Sequence, residues 1–122
     1  MRTNKQIHGA KGEALAVSFL EKKGYKIIER NYRIQGGEID IIALDTDTLV
    51  FIEVKARATE EFGSPLEAIT YRKLKTLTRA AQFYKITHKK LPDALRIDAV
   101  AISFDKNYEI NSIELVKNIS LC

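Results

Sequence analysis

Between Asn4 and Lys23, apolar residues recur at Ile7, Ala10, Ala14, Val17 and Leu20, the spacing that lines one side of a helix. Gly24 follows Lys22 and Lys23, as expected for a left-handed helix end with cations at its negative pole. The rhythm then becomes that of strands. Tyr25 to Arg33 is rich in β-formers and stops at Gln35-Gly36-Gly37. Two further strands, Glu38 to Leu44 and Leu49 to Arg57, are joined by the polar run Asp45-Thr46-Asp47-Thr48, a hairpin signal. Ser64 and Glu67 form a capping box, with Pro65 at the first helical position. From there Leu66, Ile69, Leu74, Leu77, Ala81 and Tyr84 carry the apolar side of a second helix to about Lys85. Arg96 to Phe104 is apolar at nearly every position, as in a strand covered on both faces, and Glu109 to Val116 is a weaker last strand. The predicted order is αβββαβ(β), an α/β or α+β domain with a mixed central sheet flanked by helices.

Composition adds limits. The 122 residues are 45% hydrophobic and 30% charged, and they hold no repeat or Pro/Gly-rich linker, so a single domain is expected over residues 1–122. Cys122 is the sole cysteine, which excludes a disulfide scaffold and makes a reduced, cytoplasmic setting the default. No apolar run exceeds four residues, so neither a membrane span nor a signal-peptide core is expected. The net charge of +4 permits a nucleic-acid partner without requiring one. Its distribution says more. Ala68 to Pro92 contains Arg72, Lys73, Lys75, Arg79, Lys85, Lys89 and Lys90 and no acid.

The candidate chemistry lies on the hairpin. Residues two apart in a strand share a face, so Glu38, Asp40, Ile42 and Leu44 point one way and Ile39, Ile41 and Ala43 the other. In the next strand Leu49, Phe51, Glu53, Lys55 and Arg57 share a face. Closing the loop with Leu44 opposite Leu49 puts Asp40 across from Glu53 and Glu38 across from Lys55. Two facing carboxylates repel; Lys55 and Arg57 on the same face relieve this only in part, and a divalent cation would relieve it more fully. Two carboxylates, with water and phosphate oxygens completing the shell, describe a Mg²⁺ site. Such an ion lowers the pKa of bound water and stabilises charge on a phosphoryl group, while Lys55 could orient that water or hold a phosphate oxygen. The plain alternative is a solvated hairpin face with an ordinary Glu38–Lys55 pair. Ile42, Leu44, Leu49 and Phe51 argue against it, because they make the carboxylates' face apolar at the tip and call for a covering element.

Gly-Glu-Ile-Asp (37–40) and Glu-Val-Lys (53–55) resemble the bipartite signature of the PD-(D/E)XK, restriction-endonuclease-like nucleases, with Ile39 where that signature often has proline. The resemblance extends to the YraN family of bacterial proteins. It is carried by Gly9-x-x-Gly12-Glu13, Asn31-x-Arg33, Phe51-Ile52-Glu53-Val54-Lys55-x-Arg57, Lys73 and Arg96-Ile97-Asp98. The resemblance implies a restriction-endonuclease-like αβββαβ core and cleavage of nucleic-acid phosphodiesters with Mg²⁺ or Mn²⁺. Asp40, Glu53 and the Val54 carbonyl would be metal ligands and Lys55 the catalytic lysine. Glu13 matches the first-helix carboxylate of archaeal Holliday junction resolvases, which are similar in size and usually dimeric, so a homodimer is allowed.

Other residues have readings of both kinds. Gly9 and Gly12, each unfavourable by about 1 kcal/mol in a helix interior, suggest close approach of a backbone or ligand beside Glu13. Arg72, Lys75 and Arg79 form a stripe that is either a solvated helix face or a set of phosphate contacts, with Arg57 beside them on the hairpin. Lys73 lies nearer the apolar side, from where it could reach the site. Asp98 reads as a structural partner of Arg96 or of a helix end in preference to a ligand. The expected function is a metal-dependent nuclease acting on DNA, branched or single-stranded DNA included. The alternatives are a nucleic-acid-binding module without turnover and a protein-interaction domain.

Overall fold

The structure, a computed structural model, describes residues 4–58 and 69–119, with side chains described from residue 11. Its first helix, α1 (Asn4–Lys22), closes at the predicted glycine. Gly24 takes φ 93°. Its N–H donates to the Glu21 carbonyl and that of Tyr25 to the Leu20 carbonyl, each at 3.0 Å. This is the Schellman arrangement, which satisfies the last helix carbonyls and turns the chain into the sheet.

The strands are β1 (Lys26–Ile34), β2 (Gly37–Asp45), β3 (Thr48–Ala58), β4 (Ala94–Phe104) and β5 (Ile110–Val116), with helix α2 (Tyr71–Thr87) between β3 and β4. They form one sheet in chain order. Its β3–β4 pair is parallel and the others are antiparallel. A parallel pair needs a crossover, and the segment containing α2 supplies it. The α+β arrangement is consistent with a restriction-endonuclease-like core, as the sequence led us to expect.

Each face of the sheet has its own helix. Ala16 and Leu20 of α1 pack with Ile41, Val50, Ile52, Val100 and Ile102. Leu77, Ala80, Ala81 and Tyr84 of α2 pack with Ile39, Ile42, Leu49, Phe51 and Ile97. Thus α2 covers the apolar tip of the hairpin, and β4 contributes to both cores. Among the described residues no helix is long and apolar enough to cross a membrane.

The helices differ from expectation in detail. On α1 the buried positions are Gly12, Ala16 and Leu20, while Ala14 is exposed and Val17 half-buried. Ile7 and Ala10 fall outside the described side chains. The helix is rotated because it approaches β3 through its smallest residue: a Cβ on Gly12 would sit 3.1 Å from Ala56 Cβ. A hydrophobic-periodicity reading gives a glycine no weight and misses that face. Helix α2 starts at Tyr71, with Thr70 extended and accepting from the Lys73 N–H at 3.1 Å. Ile69 therefore precedes the helix instead of lining it. The Ser64–Pro65–Glu67 box and Leu66 lie outside the described residues.

Candidate metal centre

The hairpin pairs in the predicted register, Leu44 with Leu49 and Ile42 with Phe51, and adds Asp45 with Thr48. That register stops at Ile41–Ile52. Beyond it Asp40 uses its side chain, and Oδ2 accepts from the Val54 N–H at 2.8 Å. The face also changes here. Ile41 and Ala43 pack beneath α1, but Ile39, two residues earlier, packs beneath α2. Neighbouring β1 turns over at the same step. Arg30 pairs with Ile41 and Tyr32 with Ile39, and the Tyr32 ring meets Tyr84 of α2 edge-on at 5.0 Å. Asn31, between them, has φ 54°, a left-handed conformation that asparagine tolerates better than most residues.

This paired turnover corrects two expectations. Ile39 does not share a face with Ile41 and Ala43. Nor does Glu38 pair with Lys55: it sits opposite Arg33 of β1, whose Nε lies 3.5 Å from its Oε2. Strict alternation assumes an unbroken pleat, and the break lies at Asn31 and Asp40.

Acidic groups converge on the break. Glu53 keeps the phase of Leu49 and Phe51 and is only 2% exposed. From α2, Lys73 places Nζ 3.4 Å from Glu53 Oε2 and donates to the Glu38 carbonyl at 3.3 Å. Even so, Glu53 Oε2 is buried without a hydrogen bond. Burial, followed by the hydrogen bond and the charge of Asp40, pushes the Glu53 carboxyl up to about 8, against the pull of Lys73 and Lys55. Glu13 arrives from α1, brought near by the close approach at Gly12. Its pKa is raised by burial and then by the charges of Asp40 and Glu38, with Arg30 opposing. With its nitrogen turned toward the carboxylates, the Asn31 amide donates to Glu13 Oε1 at 2.6 Å and to Glu38 Oε1 at 3.0 Å.

The structure therefore brings together Glu13, Asp40, Glu53, Lys55 and Lys73. Arg57 lies half-buried further along β3, and Arg72, Lys75 and Arg79 lie on α2, where Arg72 and Lys75 are exposed and Arg79 lines a cleft. Sequence reasoning gave Asn31 no role of its own. Its only local signal is that asparagine is the residue most suited, after glycine, to a left-handed step inside a strand. A backbone test follows. Asn31→Gly keeps the turnover and loses the amide, whereas Asn31→Ala also forces an alanine into the left-handed region. Urea unfolding should find the alanine variant less stable than the glycine variant by about 1 kcal/mol, the reverse of the usual order in a strand. Equal stabilities would contradict the hinge.

The donor set suits a hard cation. A buried carboxylate oxygen without a hydrogen bond, beside a second carboxylate, is what an oxygen-ligated ion would satisfy. Among the described residues no three His, Cys, Asp or Glu side chains form a ready cage. Such an ion would thus draw on Asp40, Glu53, main-chain oxygen and water, which matches Mg²⁺ better than a closed structural zinc.

Comparison with known proteins gives a consistent result. The family model described as uncharacterised protein family UPF0102 matches residues 12–102. A UPF0102 protein of Alkaliphilus oremlandii is 46% identical over 114 residues, covering 91% of this chain and 97% of the relative. One from Caldicellulosiruptor saccharolyticus is 43% identical, covering 94% and 98%. One from Clostridium perfringens is 42% identical, covering 91% and 93%.

Proposed function

The chain belongs to the UPF0102, or YraN, family, and from that membership together with the geometry of its acidic centre we propose that it is a divalent-metal-dependent nuclease acting on DNA. The observation that carries the reading is the pair Asp40 and Glu53, held together at a break in the sheet with one buried oxygen lacking a hydrogen bond. In this reading Asp40 and Glu53, with the Val54 carbonyl, would hold Mg²⁺ or Mn²⁺, which when bound would lower the pKa of a water and offset charge on the phosphate. Lys55, on the Glu53 face of β3, orients that water or holds a phosphate oxygen. Glu13 closes the site from α1, and Lys73 steadies the Glu53 carboxylate and the Glu38 carbonyl. The bases of α2 grip phosphates.

Cleavage of duplex, single-stranded and four-way-junction DNA with Mg²⁺ or Mn²⁺ tests this. Activity should appear with either metal, vanish with chelator, and fall to background in Asp40→Ala and Lys55→Ala. Activity that survives both substitutions would sink the assignment. A nucleic-acid-binding module without turnover is the second reading, supported by the exposed bases Arg72, Lys75 and Arg79 on α2. Metal-independent binding with no cleavage of any of these substrates would favour it.

A further inference from the structure

Beside the acidic centre, between the β1–β2 turn and α2, lies a cleft of about 720 Å³ whose walls include Tyr32, Arg33, Gly36, Arg79, Ala80 and Phe83. Its volume falls in the range of ligand-binding clefts. The turn closes one end: a Cβ on Gly37 would lie 3.1 Å from Thr76 Cγ2, so turn and helix meet directly. Phe83 is 55% exposed and lines the cleft. Arg79 stands one turn before it, then Lys75 and Tyr71, so the stripe Tyr71, Lys75, Arg79, Phe83 places two cations between two exposed rings along about 18 Å of helix. Lys75 already lies 5.8 Å from the Tyr71 ring centroid.

The cleft connects to the acids. Arg33 lines it and also pairs with Glu38, whose carbonyl is held by Lys73. A chain lying in it would meet Glu38 through Arg33.

We propose that this cleft is a subsite for a single-stranded segment of nucleic acid, with an unpaired base stacked on Phe83 and phosphates on Arg33 and Arg79. The inference rests on the nucleic-acid reading above and narrows its substrate. Cations alone would suit any phosphate backbone. An exposed ring in a cleft selects further, because only a base outside a duplex stack presents a free face to it. The favoured substrate therefore carries an overhang, loop or flap beside the scissile bond.

The chain has no tryptophan, so Phe83→Trp creates a unique reporter. Binding is measured without metal, in chelator, by anisotropy of labelled oligothymidylate and of a blunt duplex. Phe83→Ala should weaken oligothymidylate binding about tenfold and leave the duplex essentially unchanged. Phe83→Trp should bind like wild type, with its indole emission quenched by oligothymidylate. Loss of both ligands alike, no loss of either, or indole emission unquenched in Phe83→Trp would overturn the subsite. So would a dimer abolished by Phe83→Ala with oligothymidylate binding intact, since the ring would then serve a second copy of the chain. The two readings fail separately. A protein that binds oligothymidylate through Phe83 and cleaves nothing keeps the subsite and loses the nuclease. One that cleaves DNA while Phe83→Ala leaves single-strand binding untouched does the reverse.

Discussion

Glu53→Gln is expected to abolish metal-dependent cleavage while making the protein more stable than wild type at alkaline pH. The rate should fall about a thousandfold, equivalent to roughly 4 kcal/mol of lost charge stabilisation. The stability effect has the opposite sign because of where the carboxyl sits. Its ordinary value of 4.5 is raised to about 8, chiefly by burial. Between those values the folded protein holds a proton that the unfolded chain has released, so stability is full below about 4.5 and declines as pH rises through 8. Glutamine copies the shape of the neutral acid and has nothing to ionise. Urea midpoints from pH 5 to pH 9 should therefore fall for wild type and stay flatter for Glu53→Gln. Adding Mg²⁺ or Mn²⁺ at pH 8 should raise the wild-type midpoint, since the cation binds the ionised form, and should leave the variant unmoved. Parallel pH profiles for the two proteins would contradict the burial argument. A metal response in Glu53→Gln equal to wild type would remove Glu53 from the ligand set.

The contrast between activity and stability at one residue reflects which parts of this fold are legible in its sequence. The hairpin register could be read because a short polar loop and two alternating strands leave few ways to close, and Leu44 does face Leu49. The covering of the apolar tip followed from Ile42, Leu44, Leu49 and Phe51, and α2 provides it. The turnover at Asn31 and Asp40 was not legible, because face assignment extrapolates one period along the strand. Nothing in the composition of Ile39-Asp40-Ile41 marks a change of phase. The same blindness affected α1, whose buried side runs through Gly12 and Ala16, residues of little hydrophobic weight. The residue types of the acidic centre could thus be named in advance, but the manner of their meeting could not. Glu38 went to Arg33 and Asn31, whereas Lys73 does reach across from α2, as its place near the apolar side suggested.

On the α1 side of β4, Asp98→Ala is expected to cost about 3–5 kcal/mol of stability without harming the chemistry of molecules that remain folded. Asp98 is fully buried. It accepts from Arg96 Nε at 2.8 Å and Nη2 at 3.0 Å, from the Tyr25 hydroxyl at 2.9 Å and from the Asn118 N–H at 2.9 Å. Arg96 Nη2 also donates to Tyr25 at 2.8 Å and to Asp45 Oδ2 at 2.7 Å. The start of β1, β4 and the segment after β5 are thereby tied through one carboxylate, and Arg96 extends the tie to the end of β2, the structural role expected of Asp98 from its sequence. Removing it strands a half-buried guanidinium and a buried phenol, which is costlier than never having had the pair. Arg96→Ala removes the other partner, so the double variant should lose clearly less than the sum of the singles. Additive losses would mean that the contacts contribute independently and that no network exists. Asp45, whose pKa is held low mainly by its hydrogen bond to Arg96, adds stability that is present at neutral pH and lost as acid protonates it. Asp98 stands opposite Ile52 of β3, one residue from Glu53, but its side chain turns to Tyr25 on the α1 side of the sheet, whereas Glu53 meets Lys73 of α2 on the other. Cleavage by Asp98→Ala, assayed well below its melting temperature, should therefore match wild type. A variant that folds yet fails to cleave would show that this network sets the geometry of the acidic centre as well as the stability of the sheet.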